Sequence, residues 1–178
     1  VQDNRKAAKM LSKFLLVGVG GSGGKTLRAL RNNLELKLSQ ANWTEGMPMG
    51  WQMLHIDSPV LQDGTGFPAP MLPPADYKGL SRSGQRYADA YANAFNFVEP
   101  QDKDDYKRFL PDEKEVSVDI TVGAGQFRGV GRVLALSAHD QIKQALRGKL
   151  DLLLRAEAEP ELKRLARQLG LDDQIQAA

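Results

Sequence analysis

One stretch constrains this chain more than any other: Val17-Gly18-Val19-Gly20-Gly21-Ser22-Gly23-Gly24-Lys25-Thr26. Five of the seven residues 18–24 are glycine, and the stretch sits between two apolar patterns of different period. Before it, Phe14-Leu15-Leu16-Val17 is a short continuous apolar run, the pattern of a strand buried on both faces. After it, Leu27, Leu30, Leu34 and Leu38 recur at helical spacing, with Arg28, Arg31 and Lys37 between them, which predicts a helix over residues 25–40. A turn-rich segment follows, then a second apolar run from Trp51 to Ile56 that stops at Asp57. Strand, glycine loop, helix, strand is a βαβ unit, and it commits the chain to an α/β fold with parallel strands.

A glycine-rich turn from a strand into a helix lets backbone approach a ligand closely, and the helix start directs unpaired N–H groups at an anion. Several chemistries use such a turn. A Walker loop ends as this one does, in Gly24-Lys25-Thr26, but its first glycine would fall on Val19, so the spacing fails by one residue. Gly18, Gly20 and Gly23 satisfy the dinucleotide fingerprint, and Asp57 ends the second strand as a ribose-binding acid would. Asp57 lies 34 residues after Gly23, however, where about 20 is usual. Gly20-Gly21-Ser22-Gly23-Gly24 also spells a nucleophile elbow. A serine nucleophile needs a later acid and histidine, and His139 is the only candidate histidine after it in a suitable order; no suitable loop follows it.

Further along, residues 58–74 hold five prolines with Gly64 and Gly66, which excludes helix and central strand and predicts a long surface loop. Residues 81–98 predict a helix with Tyr87, Tyr91, Ala94, Phe95 and Val98 on one stripe. Residues 99–114 read as a charged, irregular segment with a solvated face. Val116, Val118 and Ile120 alternate with Ser117, Asp119 and Thr121, a period of two that predicts a third strand over 115–121 leading into Gly123-Ala124-Gly125. Residues 129–158 carry a helical pattern, and Pro160 suits the first turn of a last helix ending near Gly170.

Residues 17–25 resemble the first phosphate loop of the tubulin/FtsZ superfamily, with Lys25 where that loop carries asparagine. Leu54-His55-Ile56-Asp57 is similar to the superfamily's acid-ended second strand. Gly123-Ala124-Gly125-Gln126-Phe127-Arg128-Gly129-Val130-Gly131-Arg132 is similar to its loop that senses the terminal phosphate, matching at Gly123, Ala124, Gly125, Val130, Gly131 and Arg132 and departing at residues 126–129. The wording is nearest to the divergent bacterial tubulin-like proteins. The three blocks lie in the right order over residues 13–135.

The resemblance implies a three-layer, Rossmann-like GTPase-domain fold, incomplete here, with a parallel sheet and helices on both faces. It implies GTP or GDP, accompanied by Mg2+, as ligand. Gly18, Gly20, Gly21, Ser22, Gly23, Gly24 and Lys25 are then phosphate-binding. Gly123, Ala124, Gly125, Gln126, Phe127 and Arg128 are set at the terminal phosphate, and Asp57 orients the loop or a magnesium-bound water. The superfamily's later glycine-rich signature, its base-reading helix and its acidic loop that completes the neighbouring subunit's site do not occur in this chain. The resemblance therefore implies a GTPase whose hydrolysis needs those segments and a second subunit, self-association of cytoskeletal type, and an inactive isolated chain. The alternatives are an NAD(P)- or FAD-binding Rossmann protein and a non-catalytic assembly module.

Composition adds exclusions. With 24 basic and 22 acidic residues the net charge is +2, so electrostatics do not favour a nucleic-acid partner. There is no cysteine, which removes disulfides and thiolate chemistry. His55 and His139 have no clustered partners for a metal site. No apolar run approaches the ~20 residues of a membrane span, and no signal-like apolar stretch opens the chain, so a cytoplasmic protein is expected. The expected organisation is a flexible segment over 1–12 and one nucleotide-binding domain over 13–178 that continues past the last residue, because three strands are few for a sheet covered on both faces.

Overall fold

The computed structural model describes residues 11–171 apart from Thr65 and Gln126. Strand β1 (Phe14–Val19) leads directly into helix α1 (Gly20–Gln40), and strand β2 (Trp51–Asp57) follows. β1 and β2 pair in parallel with Phe14 opposite Trp51 and Gly18 opposite His55. The helix starts earlier than its leucine spacing predicts, so four of the loop's glycines form its first turn and a half. A single turn of 3-10 helix (Pro74–Asp76) introduces a short third strand, β3 (Tyr77–Gly79), parallel to β2 with Tyr77 opposite His55. The sheet order is β1-β2-β3.

The predicted third strand over 115–121 is not one: those residues join no ladder. Their alternation is real but has another cause. Ile120 is buried, and Val116 and Val118 pack against the same core cluster from a non-ladder segment. The Asp119 carboxylate then takes the Thr121 N–H at 2.9 Å and its hydroxyl at 2.6 Å, a local turn that ends the extended path.

β2 shows why the sheet has three layers. Its residues are buried on both faces, as a central parallel strand requires. Leu54 and Ile56 face a core shared with helices α2 (Tyr87–Ala94), α4 (Arg128–Ser137) and α5 (His139–Leu154). On the other face Met53 packs with Leu27 and Leu72. Trp51 meets Leu38, Trp43 and, from helix α6 (Ala158–Gln168), Leu162 and Leu165. The expected helix over 81–98 is the shorter α2 with a following 3-10 turn, and the expected helix over 129–158 is broken at Ala138. The charged segment expected to be irregular contains helix α3 (Lys103–Phe109), whose Lys107 and Arg108 pair with Asp104 and Asp105 one turn earlier.

A buried ion cluster fastens the sheet beside β3. Asp76, just ahead of that strand, receives Arg31 from α1 at 2.8 Å and Lys149 from α5. One carboxylate thus joins helices from two layers, and its two oxygens are each satisfied by a separate cation.

Candidate phosphate-binding site at the end of β2

The carboxyl end of β2 gathers both glycine-rich loops. On one side lies the β1–α1 junction. Gly20 has φ +69°, the left-handed turn that lets the chain leave the strand and enter the helix at once. A Cβ on Gly18 would stand 2.6 Å from the Gly23 carbonyl oxygen, so strand end and helix start touch backbone to backbone. A Cβ on Gly24 would collide with the His55 ring. Gly21 alone of the five has neither a left-handed backbone nor any atom within 4 Å of where its Cβ would stand. Helix α1 has no side-chain cap on its first turn and no acidic residue there, and Ser22 and Lys25 are exposed. Its leading N–H groups have no carbonyl within the helix to bind, the condition under which a helix start can receive an anion.

On the other side lies the loop over 123–128. The Ala124 N–H donates to the Ser58 hydroxyl at 2.9 Å, and Val60 N–H donates to the Thr121 carbonyl at 3.0 Å. Ser81 donates its hydroxyl to the Ile120 carbonyl at 2.6 Å, anchoring the approach to the loop. Gly123 and Gly125 have φ of +134° and +57°. Phe127 and Arg128 are exposed where α4 begins. Gln126 lies outside the described residues.

Asp57 and Ser58 stand between the two loops. Asp57 Oδ1 accepts the Ser58 N–H at 2.7 Å, and its Oδ2 is 3.5 Å from His55 Nε2. Burial alone would raise the Asp57 carboxyl, but the His55 ring and the Ser58 N–H together hold it below its ordinary value. The Tyr77 hydroxyl donates to the Pro59 carbonyl at 2.7 Å; burial, with the Asp57 charge nearby, raises that phenol well above its usual range. Gly21, Gly24, Lys25, His55 and Asp57 line one small cleft, walled on its far side by Gln62 and Asp63 of the long loop.

That long loop is held by a residue the sequence reading leaves on the solvated side of α1. Arg28 is only 4% exposed. Its guanidinium donates to the backbone carbonyls of Asp63 and Pro70 at 3.0 Å each, and to those of Phe67 and Ala69, and it lies over the Phe67 ring. Gln62 braces the same loop by exchanging two hydrogen bonds with the backbone of Leu72. A proline-rich loop makes few hydrogen bonds to itself, so its carbonyls need an outside donor; that requirement was the available signal for Arg28.

The hydrolase constellation does not assemble around His139, whose polar neighbour is Asp140 and whose ring packs near Phe97. Among the described residues no group of three or more His, Asp or Glu converges on a metal position, and no helix is long and apolar enough to cross a membrane.

A family model described as tubulin-like matches residues 15–174. No curated protein and no solved structure matches the chain.

Proposed function

We propose that this chain, which belongs to the tubulin-like family, binds a guanine nucleotide by its phosphates at the carboxyl end of β2. The observation that carries this reading is the meeting of two glycine-rich loops at Asp57 and Ser58, although they come from positions about a hundred residues apart. A helix start without cap or acid, a lysine in its second turn and a second loop with free backbone directions suit a polyphosphate better than a neutral ligand. Gly21 supports it further. The fold accounts for the absence of a side chain at the other four glycines and not at Gly21, where a ligand approaching the backbone would.

In this reading Gly20, Gly21, Ser22, Gly23 and Gly24 face the inner phosphates, with Lys25 adding charge, and Gly125 and Gln126 serve the terminal one, the Ala124 N–H being engaged by Ser58. The choice of guanine rests on the family. A magnesium ion would be held by phosphate oxygens, water and the carboxylate of Asp57, as that ion commonly is. The 34 residues between Gly23 and Asp57, against about 20 in the dinucleotide fingerprint, disfavour the dinucleotide alternative. Hydrolysis, and the head-to-tail self-association it would regulate, are assigned to further segments and a neighbouring subunit.

Titration with fluorescent GTP, competed by GTP, GDP and NADH, tests this. Saturable binding displaced by both guanine nucleotides is expected. Binding of NADH without GTP would favour the dinucleotide reading, and binding of neither would leave an assembly module.

A further inference from the structure

His55 is buried to 5% exposure in the middle of β2, directly beneath the first turn of α1. Its ring occupies the space a side chain at Gly24 would fill, with Nδ1 2.7 Å from that Cβ position. Nε2 stands 3.1 Å from the carbonyl oxygen of Gly20. A carbonyl only accepts, so Nε2 carries the hydrogen and donates it. Nδ1, buried, has no hydrogen-bond partner. The Tyr77 ring closes the other side, edge to face at 5.1 Å. A buried imidazole with one nitrogen left unsatisfied is a costly way to fill a core position, and Leu or Phe would fill it without that cost.

We propose that His55 is the positioning residue of the phosphate loop, acting through the Gly20–Gly21 peptide. A trans peptide is planar, and its C=O and the following N–H point in opposite directions. Holding the Gly20 carbonyl on His55 therefore holds the Gly21 N–H on the opposite side of the peptide, away from the ring. Gly20 has left-handed φ at the first residue of α1, where the helix's own bonds hold the chain on one side only. The same nitrogen stands 3.5 Å from Asp57, so the peptide's direction is set by the residue that also meets the acid between the loops. Gly24 is glycine so that this ring can reach its place.

The inference rests on the nucleotide reading for its consequence, and its geometry can be tested without nucleotide. Two variants separate donor from volume. His55→Gln places an amide nitrogen at the same number of bonds from Cα as Nε2, and His55→Phe fills the site with no donor. In the nucleotide-free protein, 15N relaxation should show the Gly21 amide rigid in wild type and in His55→Gln, and mobile in His55→Phe, with the β2 amides unchanged. Equal rigidity in all three would overturn the inference, whatever binds. With GTP, His55→Phe should weaken affinity about tenfold, the loss of roughly one well-made hydrogen bond to a charged group, and His55→Gln should restore most of it. The Gly21 amide shift change on GTP addition should vanish in His55→Phe and persist at Ala124. A wild type that binds no nucleotide, with the relaxation pattern intact, would sink the nucleotide reading and leave the positioning role supported. Unaltered GTP affinity and Gly21 shift in His55→Phe would sink the positioning role alone.

Discussion

Ala124 donates its backbone N–H to the hydroxyl of Ser58 at 2.9 Å, across 66 positions of sequence. Ser58 in turn donates its own N–H to Asp57, and Asp57 lies beside His55, which holds the carbonyl of Gly20. A continuous polar chain therefore runs over the end of β2 from one glycine-rich loop to the other. Each member is a side chain or peptide with a small number of allowed arrangements, which is the kind of element through which two binding loops can influence each other.

Removing the Ser58 hydroxyl should uncouple the second loop. In Ser58→Ala, the Ala124 amide loses its acceptor, and its hydrogen exchange should accelerate while amides of β1 stay protected. The stability cost should be about 1 kcal/mol in urea unfolding, the usual net worth of one such bond. Unchanged protection at Ala124 would mean the loop is held by other contacts.

Two neighbouring glycines should separate folding from binding. Gly21→Ala adds a methyl to open space in a helix, so the fold should be unaffected or stabilised by up to about 1 kcal/mol. GTP affinity should nevertheless fall at least tenfold, and Gly21→Val should abolish it. Gly24→Ala drives a methyl into the His55 ring and should cost about 1–3 kcal/mol before any ligand is added. Wild-type GTP affinity in Gly21→Val would remove the main support for backbone binding there.

Asp57 predicts a pH dependence with a definite sign. Its carboxyl is depressed in the folded protein, so its contribution is fully present above the ordinary carboxylate value, about pH 4, and is lost as pH falls through the folded value. Asp57→Asn should flatten the acid limb of the stability curve below about pH 4 and leave its shape near neutrality unchanged. A parallel acid limb in both proteins would assign the loss to other carboxylates.

Arg28 should be worth far more than its position on a charged helix suggests. Arg28→Ala leaves several loop carbonyls without their donor, and a loss of at least about 2 kcal/mol is expected, with faster proteolysis within residues 58–73. Arg28→Lys should rescue little, because an ammonium has three donors at one point and cannot span the planar fan of carbonyls. Protease resistance equal to wild type in Arg28→Ala would show that the Gln62 brace alone suffices.

Phe127 is 58% exposed beside the second loop, and the assembly reading assigns it to the contact with a neighbouring subunit. Phe127→Ala should reduce GTP-dependent light scattering of the assembling protein while GTP affinity changes by less than about threefold, the scale of an ordinary surface substitution. Identical scattering with GTP, GDP and no nucleotide would argue against a nucleotide-controlled assembly.

The βαβ unit was legible because each of its parts has its own signal. The Phe14–Val17 run, the glycines, the leucines of α1 and the run ending at Asp57 are local patterns; β2 is buried on both faces, whereas β1, expected to be so, is an edge strand that leaves Val17 and Val19 exposed. β3 was not legible: three residues carry no period, and Tyr77–Gly79 becomes a strand only because β2 is beside it. Val116, Val118 and Ile120 misled for the opposite reason, since an extended chain lying on a core alternates whether or not it has ladder partners. The glycine loop's early entry into helix went against propensity and was settled by the close backbone contact of Gly18 with Gly23. His55 and Arg28 were out of reach because their roles depend on atoms distant in sequence: a carbonyl at Gly20 and the carbonyls of the 58–73 loop.

Arg28 lies seven residues beyond Gly21 on the same helix, about 10 Å along its axis. A helix resists compression, so α1 behaves as a push-rod between these two points. Gly21 lines the cleft, and Arg28, less than halfway along the helix, is pinned to Ala69 and Pro70. An axial shift at the first of these points would carry Arg28, and with it the loop carbonyls it holds. The loop is therefore joined to the start of α1 by two routes, through Arg28 and through Gln62 and Asp63 at the wall of the cleft.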